Sequence, residues 1–452
     1  MRRFNRPWLI AGVIASLATI ATRWWISHGR TQYTIWPDEP AQLAIARFAS
    51  GGTRWNMHDH STWRPLYATL IAPLHWLFDD PIRVYQAALV VNALLGGVAT
   101  ALLVVLARRL TSLTTWAAAA AAILVSVAPA ALFPTEFVWS ESLVVPTFLG
   151  TLLALLSFRE RPSLGVGVAA ATLAAAAFGS HSRMLPLTVI TVAVVALEVR
   201  RRRLAATTGA LIVAWTAAGF LAVTAYSGFV VDRLWDEPTT RNSYGGIVAQ
   251  LGKVGATFAS FVGQSWYLLV TTAGVAGLGV IALARLARRR QPGDTDRATS
   301  AAADARLVLA VVGAHVALAM VFMSDRWRPD QVVYGRYNDA VVGPVVLVGI
   351  GELVTSSSVR RLAQDVVAVA VATAVLGGLL VMLRGDELSE GAGVRAMILG
   401  LQPFLVGEVA IPVVTITIAA IVVALLVGAV AGGTTRLAGG ADPSGKLALW
   451  AK

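Results

Sequence analysis

Apolar runs of about 20 residues recur along this chain, separated by short connections in which arginine is concentrated. Each run can cross a bilayer as a helix, because a helix satisfies its own backbone amides where no water is present. Only 14% of the residues are charged, where a soluble domain carries roughly a quarter. The mean hydropathy of +0.68 agrees. The expectation is an all-α polytopic membrane protein of about 12 transmembrane helices, forming a single integral membrane domain over 1–452.

The expected spans lie at about 8–26, 83–106, 114–133, 142–157, 164–179, 184–198, 205–226, 263–284, 307–323, 341–355, 363–383 and 411–430. The net charge of +12 is carried by clusters between the runs, such as Arg108 with Arg109, Arg200 to Arg203, and Arg360 with Arg361. That distribution is an orientation signal and excludes nucleic acid as the partner. It predicts a multi-pass plasma-membrane protein with both termini cytoplasmic. The first run continues to Trp24 and Trp25 without a small-residue cleavage site, so it reads as an uncleaved span. Residues 285–304 read as a flexible cytoplasmic loop, and 431–452 as a cytoplasmic tail. Cysteine is absent, which excludes disulfides and thiolate chemistry.

Between the first two spans lies an extracytoplasmic loop, 27–82. It contains Asp38, Glu39, Arg54, Trp55, His58, Asp59, His60 and Arg64. After Pro37, the apolar residues of PAQLAIARFA recur at helical spacing until Gly51. This pattern predicts amphipathic juxtamembrane helices over this segment and over 65–78. Under this topology Glu136, Glu141, His181, Arg183, Asp325, Arg326, Arg328, Arg336, Tyr337 and Asp339 fall on the same face. Ionisable groups at the edge of the hydrocarbon are costly unless paired or in a wet cavity. Arginine forks bind phosphate, and an interfacial carboxylate can deprotonate a hydroxyl. Together they point to chemistry on a phosphate-bearing lipid.

Each residue also has a plainer reading. Asp38 and Glu39 can serve a helix N-terminus, and Ser140 with Glu141 can form a helix cap. Arg183 and Arg336 can snorkel. His58, Asp59 and His60 suit a solvated loop, or a divalent metal. Trp36 and Trp55 stand near enough to the acids in sequence to stack on a sugar.

The stretch DEPAQLAIARFASGGTRW resembles the first-loop signature of the glycosyltransferase C superfamily, in the branch of dolichyl-phosphate-mannose protein mannosyltransferases and lipid A aminoarabinose transferases. Asp38, Glu39, Ala44 to Arg47, Gly52 and Trp55 fall close to that pattern, with Gln42 where the family has tyrosine. Arg64, Pro65 and Leu66 stand where the family has a basic residue followed by proline. SES (140–142), HSRMLP (181–186) and YGRYN (334–338) are similar to further elements of related enzymes. The resemblance implies a GT-C-like fold and inverting transfer from a polyprenyl-phosphate sugar donor to an extracytoplasmic glycan, glycolipid or protein acceptor. Asp38 is then the base, with Glu39 beside it. Arg64, Arg183 and Arg336 hold the donor phosphate, and Trp55, His60, Glu141, His181 and Tyr337 contact substrate. The resemblance names no certain cofactor, and a divalent metal is compatible. Only Lys253, Lys446 and Lys452 of the 37 basic residues are lysine, a composition that leans toward a GC-rich bacterium with mannose or arabinose donors. A transporter of lipid-linked sugar is the alternative, and it requires acids within spans and broken helices.

Overall fold

The structure, a computed structural model, describes residues 6–35, 37–57, 64–236, 250, 252–288, 296–324 and 328–440. Its elements among these residues are helical. They run α1 (Arg6–Ser27), α2 (Asp38–Ala49), α3 (Leu66–Ile71), α4 (Leu74–Leu77), α5 (Pro81–Leu110), α6 (Thr115–Val127), α7 (Pro129–Leu132) and α8 (Glu141–Glu160). There follow α9 (Leu164–Ser180), α10 (Leu185–Arg200), α11 (Ala206–Leu234), α12 (Val254–Thr271), α13 (Val275–Arg288) and α14 (Asp296–Phe322). The last are α15 (Arg336–Thr355), α16 (Val359–Glu390) and α17 (Val413–Gly440).

Nine helices among the described residues are long and apolar enough to cross a membrane, or ten if α12 and α13 form one span. Each of the twelve expected runs is helical. Two, Thr115–Val127 and Leu164–Ser180, are shorter apolar helices, of 13 and 17 residues. The run expected as one straight span over 263–284 is instead the α12–α13 pair, bent by 104°. The chain turns there because Ala273 and Gly274 adopt positive φ, 46° and 78°. Glycine takes this conformation without the usual steric cost, and the apolar pattern carries no trace of it.

The segment expected to be flexible over 285–304 is helical at both ends among the described residues. Helix α13 continues to Arg288 and α14 begins at Asp296, with 289–295 outside the described residues. Asp304 anchors the first part of α14, since its side chain accepts from Arg109 Nε at 2.8 Å and lies 3.5 Å from Arg159. In the expected tail, α17 continues to Gly440.

Helix α2 does not lie free on a lipid surface. Ala41, Ala44 and Ile45 pack with Tyr67, Ile71, Leu89, Val230 and Trp235 in one buried cluster. The larger core runs between α1, α5, α6, α8, α10, α14 and α15, with Phe148, Leu152, Leu187, Val311 and Leu347 fully covered.

Polar side chains collect at the two ends of this bundle. At one end Arg109, Arg159 and Glu160 surround Asp304. Glu198 pairs there with Arg201 and Arg203, and Arg285 pairs with Asp365. Helices α8, α10 and α15 each have one terminus in this group and the other near Glu141, Arg183 or Arg336. A 20-residue helix is about 30 Å long, so the two polar groups are separated by a membrane thickness.

Candidate active site

Five distant segments converge at the end of the bundle opposite the arginine-rich connections. Asp38 and Glu39 open α2 directly after Pro37, where their charge suits the free amides of a first turn. Glu39 is fully buried, and its carboxylate is saturated. Oε1 accepts from the backbone amides of Thr34 (2.7 Å) and Ile35 (2.9 Å). Oε2 accepts from Tyr85 Oη (2.8 Å) and the Val138 amide (2.9 Å). Four donors account for the acceptor sites of a carboxylate. Glu39 therefore ties the turn before α2, helix α5 and the segment before α8 into one unit, and no oxygen is left to meet a substrate.

That segment is fixed a second time by Asn92, which donates to Phe137 O at 2.8 Å and accepts from Tyr67 Oη at 2.7 Å. It delivers Trp139 and Glu141 to the site. Ser140 occupies the N-cap position of α8 but makes no side-chain cap bond, so Glu141 is not part of a capping box. Instead it receives Arg336, the first residue of α15, through a fork: Nε to Oε1 at 2.5 Å and Nη2 to Oε2 at 3.1 Å. The third guanidinium nitrogen, Nη1, donates to Asp38 Oδ2. The guanidinium lies over the buried Trp139 ring, 3.8 Å from its centroid. Arg336 is thus a bridge between two carboxylates separated widely in sequence. Gly335 allows this start of α15, since a Cβ there would fall inside the ring of Tyr267. Tyr267 in turn donates to Asp339 at 2.7 Å.

Arg183 stands beside this bridge in a single 3-10 turn, Ser182–Met184. Its guanidinium lies 3.0 Å from the Tyr337 ring centroid and 4.2 Å from that of Phe322. It is 7% exposed, and its buried Nε and Nη1 have no hydrogen-bond partner among the described residues. A buried cation with unused donors is costly, and it is the feature expected of an anion site. His181 meets Tyr337 edge-on at 5.2 Å. Burial, with Arg183, Arg336 and Arg64 nearby, holds its imidazole well below the usual range and therefore neutral.

The structure thus brings together Asp38, Glu141, His181, Arg183, Arg336 and Tyr337, with Glu39 behind them. Arg64 lies to one side, over the Phe178 ring at 4.3 Å and donating to Ser227 at 3.1 Å. Trp55 is apart from the acids: it is 46% exposed, with Arg47 over its ring at 5.4 Å. Its place beside Asp38 in sequence does not become contact, because it follows the turn at Gly51, at the far end of α2. Trp36, His58, Asp59, His60, Asp325 and Arg326 lie outside the described residues. Among the described residues, no three His, Asp or Glu side chains converge as a metal site. Trp139 is not singled out by the sequence; its only signal is nearness to Glu141.

Behind the bridge, Glu136 is fully buried, with neither oxygen hydrogen-bonded among the described residues. Arg30 Nε is 3.8 Å away. Burial pushes the carboxyl up to about 7, against the pull of Arg30 and Arg23. The folded protein then binds this proton more tightly than the unfolded chain does. The contribution is fully present below the ordinary carboxyl range and is lost as pH rises through about 7. Thermal melting between pH 5 and 8 is expected to fall less steeply with pH in Glu136→Gln than in wild type; parallel profiles would contradict this.

No family model matches the chain, and no curated protein does. Solved structures of ArnT from Cupriavidus metallidurans are similar to it. The apo form is 16% identical over 94% of this chain and 77% of that chain, with a TM-score of 0.47. The form bound to undecaprenyl phosphate is 17% identical over the same shares, also with a TM-score of 0.47.

Proposed function

We propose that this protein is a membrane glycosyltransferase of the glycosyltransferase C type, moving a sugar from a polyprenyl-phosphate donor to a hydroxyl acceptor outside the cytoplasm, with inversion. The observation that carries this reading is Arg183, a buried cation with unused donors beside a buried Asp38–Arg336–Glu141 bridge at a membrane face. Arg183 and Arg336 bind the donor phosphate, with Arg64 at the margin. Asp38 takes the proton of the acceptor hydroxyl as its oxygen attacks the anomeric carbon. The bond from that carbon to the phosphate oxygen breaks, and polyprenyl phosphate leaves with the electron pair. The arginines meet the charge that develops on this leaving oxygen. His181, neutral, is suited to a hydrogen bond with the sugar, and Tyr337 supports Arg183. The arginine-rich connections at the far end of the bundle support an extracytoplasmic site by the positive-inside rule. The sugar is mannose or an arabinose-like pentose, and a glycan, glycolipid or protein is the acceptor.

Among the described residues, the α12–α13 bend favours transport, because transporters use broken helices around their substrates. So does Asp339 within α15, although Tyr267 holds that carboxylate. Here the bend carries no ionisable side chain. Gly274 packs against Val369 and Ala424, and the space beside it is only about 10 Å³. It is a filled corner.

The test of the reading is binding of undecaprenyl phosphate in nanodiscs. Wild type is expected to bind it, and Arg183→Gln to bind it at least about tenfold more weakly, the value of a lost charge-assisted hydrogen bond. Equal affinity would remove Arg183 from the donor site.

A further inference from the structure

Two arginines and two carboxylates meet at this site, and they are shared unevenly. Arg336 serves both acids, while the neighbouring Arg183 serves neither and rests between Tyr337 and Phe322. The two contacts of Arg336 use different edges of one guanidinium. Nε and Nη2 form the fork on Glu141, and Nη1 alone reaches Asp38. The Nη1 contact can be given up while the fork persists, because the edges are geometrically independent. A cavity of about 50 Å³ borders Arg336, Glu141 and Asp339. The flexible thioether of Met397 lies 3.7 Å from Nη1.

The Asp38 oxygen held by Arg336 is not available to an incoming hydroxyl. A phosphate bound by Arg183 would bring its charge beside Arg336 and compete with Asp38 for Nη1. We propose that Arg336 is a counter-ion that changes partner: Nη1 holds Asp38 Oδ2 in the arrangement seen here, and the phosphate of the lipid donor draws it away. Asp38 Oδ2 then becomes free to take the acceptor's proton only when a donor is in place, while Glu141 keeps hold of the guanidinium throughout. This presupposes the polyprenyl-phosphate donor assigned above. It assigns Glu141 a positioning role and couples base release to donor binding.

Competition for one edge has a thermodynamic consequence that needs no turnover to observe. If Asp38 and phosphate exclude each other from Nη1, removing the charge of Asp38 must tighten phosphate binding. Affinity for undecaprenyl phosphate in nanodiscs is measured for wild type, Asp38→Asn, Arg336→Gln and the Asp38→Asn/Arg336→Gln pair. Asp38→Asn is expected to bind about tenfold more tightly than wild type, the scale of one charge-assisted hydrogen bond released to the ligand. In the Arg336→Gln background the same substitution is expected to gain less than about twofold, since no shared edge remains. Should Arg336→Gln fail to fold with two buried acids uncompensated, Arg336→Gln/Glu141→Gln removes one charge of each sign. The same comparison is then made on that background.

An equal gain in both backgrounds would mean simple repulsion between Asp38 and phosphate, and would overturn the exchange. So would an unchanged or weaker affinity in Asp38→Asn. Failure of the donor assignment gives a different result: no variant, wild type included, binds the lipid.

Discussion

Glu39→Ala is expected to destabilise the protein by about 4 kcal/mol, among the largest effects of any single substitution in it. The carboxylate accepts four hydrogen bonds, but they are not equal in consequence. Thr34 is exposed and Ile35 partly so, and their amides can turn to water. Val138 is 0% exposed and Tyr85 3%, so their donors would be stranded. Each stranded buried donor costs about 1–3 kcal/mol, and the lost side-chain volume adds to that. Glu39→Gln preserves the volume and can keep its carbonyl oxygen toward the buried Tyr85 and Val138 donors, leaving the outer amides to water, so it is expected to lose only about half as much. Thermal melting in detergent ranks the two. Equal melting of Glu39→Ala and wild type would show that the three segments are held by other contacts.

Asp38→Asn is expected to do the opposite: leave the fold intact and remove catalysis. Asparagine is isosteric, and its carbonyl can still accept from Arg336. The melting temperature should stay close to wild type. What is lost is the base. General base catalysis contributes roughly 10²–10⁴-fold, and transfer is expected to fall by about 10³-fold. A variant that melts normally, binds polyprenyl phosphate and does not transfer sugar separates chemistry from positioning. Transfer within tenfold of wild type would exclude Asp38 as the base and leave Glu141 as the remaining carboxylate in contact with Arg336.

The pairing of Glu39 and Asp38 shows how far this site could be read from sequence. Both are acids in a first turn, and sequence treats them alike. Tertiary contacts separate them, because Tyr85 and Val138 come from elsewhere in the chain and saturate one but not the other. Glu141, Arg183 and Arg336 were legible because each is an ionisable residue at the edge of an apolar run, where burial needs a reason. Trp139 was not, since an aromatic residue beside the membrane has many ordinary uses. Trp55 is near Asp38 along the chain but stands at the far end of α2, beside Arg47, because helix α2 runs between them. The helical segments were legible from apolar runs, and for Leu164–Ser180 so were the bounds, expected at about 164–179. The bend at Ala273 and Gly274 left one glycine as its signal, in a chain with 40.

The most direct measurement of the central claim is sugar transfer from a labelled lipid. Membranes from a strain deleted for this gene and restored with wild type or Asp38→Asn are given polyprenyl-phosphate mannose or arabinose, tritiated in the sugar. Label leaving the lipid for a second glycosylated product with wild type, and not with Asp38→Asn, is the result expected. Labelled lipid that crosses the membrane with its sugar–phosphate bond intact, and no glycosylated product, would contradict it and make the protein a carrier.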